Sequence, residues 1–302
     1  MHQKLVIKGA VLAAAFTTSA AWAQVDVLKK VKDTGTITMG VRDASGAMSF
    51  TTGSGRYTGF HVEVCERIVA DIKTVLKLDT LKVNYQVVTP ANRITLVKNG
   101  TVDLECGTTT NNEARQNDVA FAPTLYVEGV RAAVAIDSGI GRLAQLGGKT
   151  VVATTGSTSV QLLRKMKRDG GDEIKELSAK DNADGFLMLE SGRADAFVAD
   201  GQILATAISQ SRAPSRYKLL DEVLSVEPIA IMIPKGDTAF KKQVDASVSR
   251  LASSGEAARL YDKWFMQPIP PSNLKVNLPA NAMTKAAWAS PNDKPLEAYK
   301  DK

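Results

Sequence analysis

Leu104-Glu105-Cys106-Gly107-Thr108-Thr109-Thr110-Asn111-Asn112-Glu113-Ala114-Arg115 decides how this chain is read. With Val102 and Asp103 ahead of it, the stretch predicts a buried strand to Cys106, a tight turn on Gly107, a row of hydroxyls, and a polar helical turn finishing at Arg115. A strand that stops at glycine and delivers hydroxyls, backbone N–H groups and a guanidinium to one spot is suited to holding a carboxylate. Taken alone, the same segment would be read as a solvated loop after a strand.

An internal echo gives the stretch a place in a larger plan. Residues 94–103, Ile-Thr-Leu-Val-Lys-Asn-Gly-Thr-Val-Asp, and residues 186–195, Phe-Leu-Met-Leu-Glu-Ser-Gly-Arg-Ala-Asp, run alike. Each has an apolar helix end, a glycine suited to closing it, a short link, and an aspartate that opens an apolar strand. Laying Gly100 on Gly192 and Asp103 on Asp195 brings Thr108 onto Asp200, so each half ends a strand with one polar residue. That pattern predicts two similar α/β lobes facing each other, although Gly-x-x-Asp is also a common way to join a helix to a strand.

Residues 1–23 carry Lys4 and Lys8, an apolar run from Gly9 to Ala15, and a small-residue end at Ala21-Trp22-Ala23. This is the build of a secretory signal cleaved after Ala23, and its apolar run is too short to span a bilayer. Its removal takes two lysines and no acid, so the formal charge of +6 becomes +4. A mild basic excess suits an anionic small ligand; it is scattered, without the aromatic-interleaved stripe of a nucleic-acid binder. Cys65 and Cys106 form an even pair in an exported chain, read most simply as a disulfide, with two buried thiols as the alternative. Only His61 remains once His2 leaves with the signal, so neither a metal site nor a cofactor is expected.

In chain order, residues 25–32 predict a short helix, 36–41 a strand ending at Arg42, 81–88 a strand, and 92–99 a helix carrying Arg93. Val64, Cys65, Ile68, Val69, Ile72, Val75 and Leu76 mark one face of a long helix. His61, at the start of that helix, is expected to be a partly exposed surface residue. The glycines of residues 53–59 make a flexible turn whose spacing does not fit a nucleotide fingerprint. Residues 125–136 form an extended run long enough to cross between lobes. Gly139-x-Gly141-x-x-Ala144 imitates a dinucleotide turn, but the helix after it would break at Gly147-Gly148. Residues 149–153 predict a strand, and Thr158 with Gln161 a capping box opening the next helix. Residues 186–190 predict a helix, 194–199 a strand closed by Asp200, 226–233 a return crossing, and 240–264 the last long helical region.

The resulting fold class is α/β, a two-lobe clamp in which each lobe is a mixed sheet flanked by helices and two hinge strands join the pair. The predicted divisions are a signal at 1–23, lobe 1 at 24–128 and 230–275, lobe 2 at 129–229, and a tail at 276–302 packed on lobe 1.

Further motifs give a resemblance. Asn92-Arg93-Ile94, Asp103-Leu104-Glu105-Cys106-Gly107, Thr109-Thr110-Asn111-Asn112, Glu113 with Arg115, Ser178-Ala179-Lys180-Asp181, Leu189-Glu190-Ser191-Gly192-Arg193, and Asp262-Lys263-Trp264-Phe265 with Pro268-Ile269-Pro270-Pro271 occur in one order. Together they resemble the glutamate/aspartate-binding proteins of bacterial ABC uptake systems, type II periplasmic binding proteins of the polar amino acid group. The resemblance covers nearly all of the chain after the signal. It implies that Arg115 grips the ligand's α-carboxylate with help from Thr110 and Thr158, and that Thr108 and Asp200 take the α-ammonium. It also implies that Arg42 and Arg93 engage the side-chain carboxylate, with a third contact at Asn182. The chain departs from the family's pattern in having Asn182 where members carry His, and Pro90 where some carry Ser. Asn can donate a hydrogen bond but adds no positive charge, which bears on the ranking of glutamate against aspartate and on tolerance of an amide ligand.

The implied function is a periplasmic protein that closes on L-glutamate or L-aspartate and delivers it to an inner-membrane ABC permease, as a monomer and without catalysis. Three arginines against one aspartate give an expected site charge of +2 facing a ligand of −1. The alternative is a periplasmic dehydratase or lyase on the same scaffold, for which Asp200 is the one strong candidate acid or base.

Overall fold

The computed structural model describes residues 26–170, 173–270, 273 and 275–299, so the expected signal peptide lies outside the described residues. The first elements are α1 (Val27–Thr34), β1 (Thr36–Val41), β2 (Ala44–Ser45), β3 (Ser49–Gly53), β4 (Arg56–Thr58), α2 (Phe60–Val75), β5 (Lys82–Val87), α3 (Arg93–Lys98), β6 (Leu104–Glu105), α4 (Glu113–Gln116) and β7 (Val119–Phe121). The middle of the chain gives β8 (Tyr126–Ala135), β9 (Thr150–Thr154), α5 (Thr158–Gly170), β10 (Lys175–Ala179), α6 (Asn182–Glu190), β11 (Ala196–Asp200), α7 (Gly201–Gln210), β12 (Tyr217–Leu219) and β13 (Ser225–Ile229). It closes with β14 (Met232–Pro234), α8 (Thr238–Ser253), α9 (Glu256–Tyr261) and α10 (Ala282–Ala289).

Two main sheets carry the lobes, ordered β5-β1-β6-β14-β7 and β10-β9-β11-β8-β12, with β13 beside β8. Their first three strands repeat one plan: β1 pairs in parallel with β5 and β6, and β9 in parallel with β10 and β11. An antiparallel strand follows in each, β14 against β6 and β8 against β11. The echo in the sequence has a local cause here. Gly100 and Gly192 take φ of 77° and 70° behind their helices, a left-handed turn that costs a residue with a Cβ about 1–2 kcal/mol. Asp103 then accepts the Thr38 N–H at 2.8 Å and Asp195 accepts the Thr150 N–H at 2.8 Å, so each aspartate fastens its strand to the middle strand of its own parallel trio.

The lobes are joined where β8 leaves the first and β13 returns, the two running antiparallel from Tyr126 opposite Ile229 to Val130 opposite Ser225. The core of the first lobe is packed between its sheet and α2, α8 and α9. Phe265, fully buried, stacks on Tyr126 at 5.3 Å and Tyr261 at 4.4 Å. A side chain of that kind contributes roughly 2–3 kcal/mol by burial alone. The tail is bound to the beginning of the crossing: Asn281 and Thr284 donate to the Val127 carbonyl, and Trp288 Nε1 donates to that of Leu125.

Three local expectations give way. Residues 53–59 belong in part to a small three-stranded sheet, β2-β3-β4, with Gly59 at φ 133° where a Cβ would meet the Met48 carbonyl oxygen at 2.5 Å. The helical region 240–264 is broken by Gly255, at φ 75°, into α8 and α9. His61 is 1% exposed. Its ring lies between the strand end and α2 because Nδ1 pairs with the Gly107 carbonyl at 2.7 Å, a partner that hydrophobic patterning along the helix does not reveal.

Candidate functional site

The predicted turn is built as a close approach of side chains beneath Gly107. A Cβ on that residue would stand 2.2 Å from Glu105 Oε1 and 2.9 Å from Arg42 Cγ, so only glycine lets these two groups lie under the turn. Beyond it, Thr108, Thr109 and Thr110 are all buried. Asn112 caps α4 by accepting the Arg115 N–H at 2.9 Å, which sets Arg115 inside its single turn.

A cavity of about 20 Å³ between the lobes is lined by Arg93, Thr108 and Thr110 from one side and Thr158, Asn182 and Asp200 from the other, with Pro90, Thr154, Ser157 and Ile203 among its neighbours. Arg42 and Arg115 stand behind that wall. The Arg42 charge bears on Arg93 and Asp200, and the Arg115 charge on Arg93, Asp200 and Glu227. All eight expected residues are thus gathered at one place, six on the cavity wall and two behind it.

Contacts cross the cleft at several points. Arg115 donates to the Thr110 carbonyl at 2.9 Å and to the Gly156 carbonyl at 3.3 Å on the opposite lobe. Asn182 Nδ2 donates to the Ala44 carbonyl at 2.9 Å while its Oδ1 accepts the Thr154 hydroxyl at 2.9 Å, so both ends of this amide are engaged by protein. Gly156, at φ 82°, leaves no room for a Cβ, which would meet the Pro90 carbonyl oxygen at 2.6 Å.

The electrostatics are governed by burial. Arg42 and Arg93 are each 2% exposed, and within the described residues Arg42 Nη1 and Arg93 Nε have no protein acceptor. Desolvation, with repulsion from Arg93, brings Arg42 and Arg115 down to about 10, and desolvation lowers Arg93 as well. Asp200 is pushed up to about 7 by burial and by the nearby Glu227, against the pull of the arginines. Glu227 is raised too, by its own desolvation.

Glu105 and Glu227 were not anticipated as part of the site, and they correct the expected charge balance. Glu105 Oε2 accepts the Thr109 hydroxyl at 2.6 Å and its charge bears on Arg42 and Arg93. Glu227, from β13, accepts the hydroxyls of Thr110 at 2.5 Å and Thr158 at 2.9 Å. Three guanidiniums therefore face three carboxylates, where the expected ratio was three to one. Glu105 could have been suspected from a charged residue inside the predicted central strand. Glu227 had only its place in a crossing strand as a signal. The Thr158 capping box is likewise revised: Thr158 is the first residue of α5 itself, and its hydroxyl serves Glu227 across the hinge. Among the described residues no group of three or more His, Cys, Asp or Glu is disposed to hold a metal ion.

The cysteines are joined, Cys65 to Cys106, which fixes α2 to the strand end immediately before Gly107. None of the described helices is long and apolar enough to cross a membrane.

Comparison with known proteins adds to this geometry. The profile of the bacterial extracellular solute-binding proteins, family 3, matches residues 37–267. The chain is 43% identical over 271 residues to an L-glutamate/L-aspartate-binding protein of Pseudomonas aeruginosa, a match covering 89% of this chain and 90% of that one. It is 38% identical over 269 residues to a glutamate/aspartate import solute-binding protein of Escherichia coli, covering 89% of each. Among solved structures, a cysteine-binding protein from Campylobacter jejuni aligns with a TM-score of 0.69 at 24% identity, covering 80% of this chain and 93% of that one, a likeness of fold alone.

Proposed function

The chain belongs to the bacterial extracellular solute-binding proteins of family 3, and from that membership we propose that it captures L-glutamate or L-aspartate between its lobes and delivers it to an ABC permease. It does so as a monomer in the periplasm after cleavage of its signal peptide. The observation that carries this reading is the placing of buried Arg93 on one wall of an inter-lobe cavity and Asp200 on the other, with buried Arg42 and Arg115 behind the wall and coupled electrostatically to both.

Arg115 and the start of α5 receive the α-carboxylate, Asp200 and Thr108 the ammonium, and Arg42 and Arg93 the side-chain carboxylate. The unpaired guanidinium nitrogens of Arg42 and Arg93 favour the last assignment, because a buried cationic donor without an acceptor costs about 1–3 kcal/mol or more until one arrives. A ligand lacking the second carboxylate would leave that cost in place, which makes the site selective for dicarboxylic amino acids. Asn182, held by Ala44 and Thr154, contributes at most its remaining amide hydrogen. The relatives are described as binding proteins, and the raised Asp200 owes its shift to burial and Glu227; nothing specific favours the dehydratase or lyase alternative.

Isothermal calorimetry on the protein lacking residues 1–23 tests the reading. One-to-one binding of L-glutamate or L-aspartate is expected; absence of heat with both would end the assignment.

A further inference from the structure

Glu227 sits on the hinge strand β13, 1% exposed, directly across from Glu128 on β8. One carboxylate oxygen, Oε2, accepts two hydroxyls: Thr110 from the first lobe at 2.5 Å and Thr158 from the second at 2.9 Å. A hydroxyl has a single hydrogen to donate. The α-carboxylate of an amino acid can only accept, so a threonine hydroxyl whose hydrogen goes to Glu227 has none for the ligand. What Thr110 and Thr158 can still offer a carboxylate is the main-chain N–H of each, beside Arg115 and the N-terminal end of the thirteen-residue α5.

We propose that Glu227 is a positioning residue that clasps Thr110 of one lobe to Thr158 of the other and turns both hydroxyls away from the ligand, leaving main-chain N–H groups and Arg115 to meet its α-carboxylate. The proposal rests on the functional reading above. It assigns the two threonines an indirect role: their side chains serve the hinge and their backbones serve the ligand. Glu227 thereby couples the geometry of the crossing strand to that of the site, because β13 cannot shift relative to either lobe without stretching one of these bonds.

Double-mutant cycles test this. Thr110→Val and Thr158→Val keep the main-chain N–H and remove only the hydroxyl. Each is expected to weaken binding of L-glutamate or L-aspartate roughly tenfold beside Glu227, and by less than about twofold in a Glu227→Ala background. Glu227→Gln, which keeps an acceptor oxygen, should retain most of the coupling. Equal costs in the two backgrounds would mean that the hydroxyls reach the ligand directly and would overturn the proposal. The same cycles read by urea unfolding need no ligand: the threonine substitutions should be non-additive with Glu227→Ala, and additivity would again overturn the clasp. A wild-type chain that binds neither amino acid would count against the functional reading, while the unfolding cycles would still decide the role of Glu227.

Discussion

Arg115 reaches both lobes with one guanidinium, holding carbonyls of Thr110 and Gly156. Its truncation removes those two bonds and the cation assigned to the α-carboxylate together. Arg115→Ala should therefore weaken binding of acidic amino acids by at least about a hundredfold in calorimetry, since hydrogen bonds to charged groups contribute about 1.5–3 kcal/mol each; an unchanged affinity would relocate the α-carboxylate. Asp200 predicts a pH dependence. Raised to about 7 in the ligand-free protein, it must be ionised to pair with an ammonium, so affinity should fall as pH drops through 7. Asp200→Asn should bind more weakly at pH 8 and lose that slope, and a wild-type affinity that stays flat between pH 8 and 6 would contradict the assignment. At this scale the sequence was only partly readable. Arg115 and the threonines stood out through their place after a strand end, whereas Arg42 and Arg93 acquired meaning only from the resemblance. Glu105 and Glu227 were missed because a buried carboxylate is identified by what surrounds it in three dimensions, and neither spacing nor residue type reports that.

The helix α2 is fixed to the site twice, by the disulfide to Cys106 and by His61 to the Gly107 carbonyl. The cross-link closes 41 residues, for which chain entropy predicts about 4 kcal/mol. The double variant Cys65→Ala/Cys106→Ala should lose about that much in urea unfolding, and a loss below about 1 kcal/mol would show that the fold holds α2 without it. His61 pairs with a carbonyl, which can only accept, so Nδ1 carries the hydrogen, and burial keeps the ring neutral. Burial depresses it to about 4, while the unfolded chain takes up its proton near pH 6.5. The stability this neutral ring contributes is present above pH 6.5 and is lost as pH falls towards 4, about 3 kcal/mol in all. Asp200 and Glu227 act in the opposite sense, because raised carboxylates favour the fold at low pH. The quantity to measure is therefore the difference between wild type and His61→Gln over that range; a constant difference would show that His61 protonates within the folded protein. The long helix was legible from its apolar face. The burial of His61 was not, because a polar residue beside such a face is read as solvated until its partner is known.

The two-lobe plan was the most legible property of the molecule. Glycine and aspartate at matching offsets encode the same helix-to-strand join twice, with Asp103 and Asp195 each bonded to the middle strand of its own parallel trio. The long apolar run at 125–136 pointed to the outward crossing, and the alternation at 226–233 to the return. Less was visible where pairing is non-local: β7 and β12 are three residues long and owe their existence to neighbours far along the chain.

The interrupted course of the first lobe has a consequence for how the protein is made. The second sheet is complete by β13, but the first receives β14 only afterwards, inserted between β6 and β7. A polypeptide arriving amino end first thus presents both cysteines before the strand that fills that sheet. Oxidation at this stage would act as a ratchet, locking α2 onto an unfinished scaffold so that the late-arriving strand finds its slot already shaped.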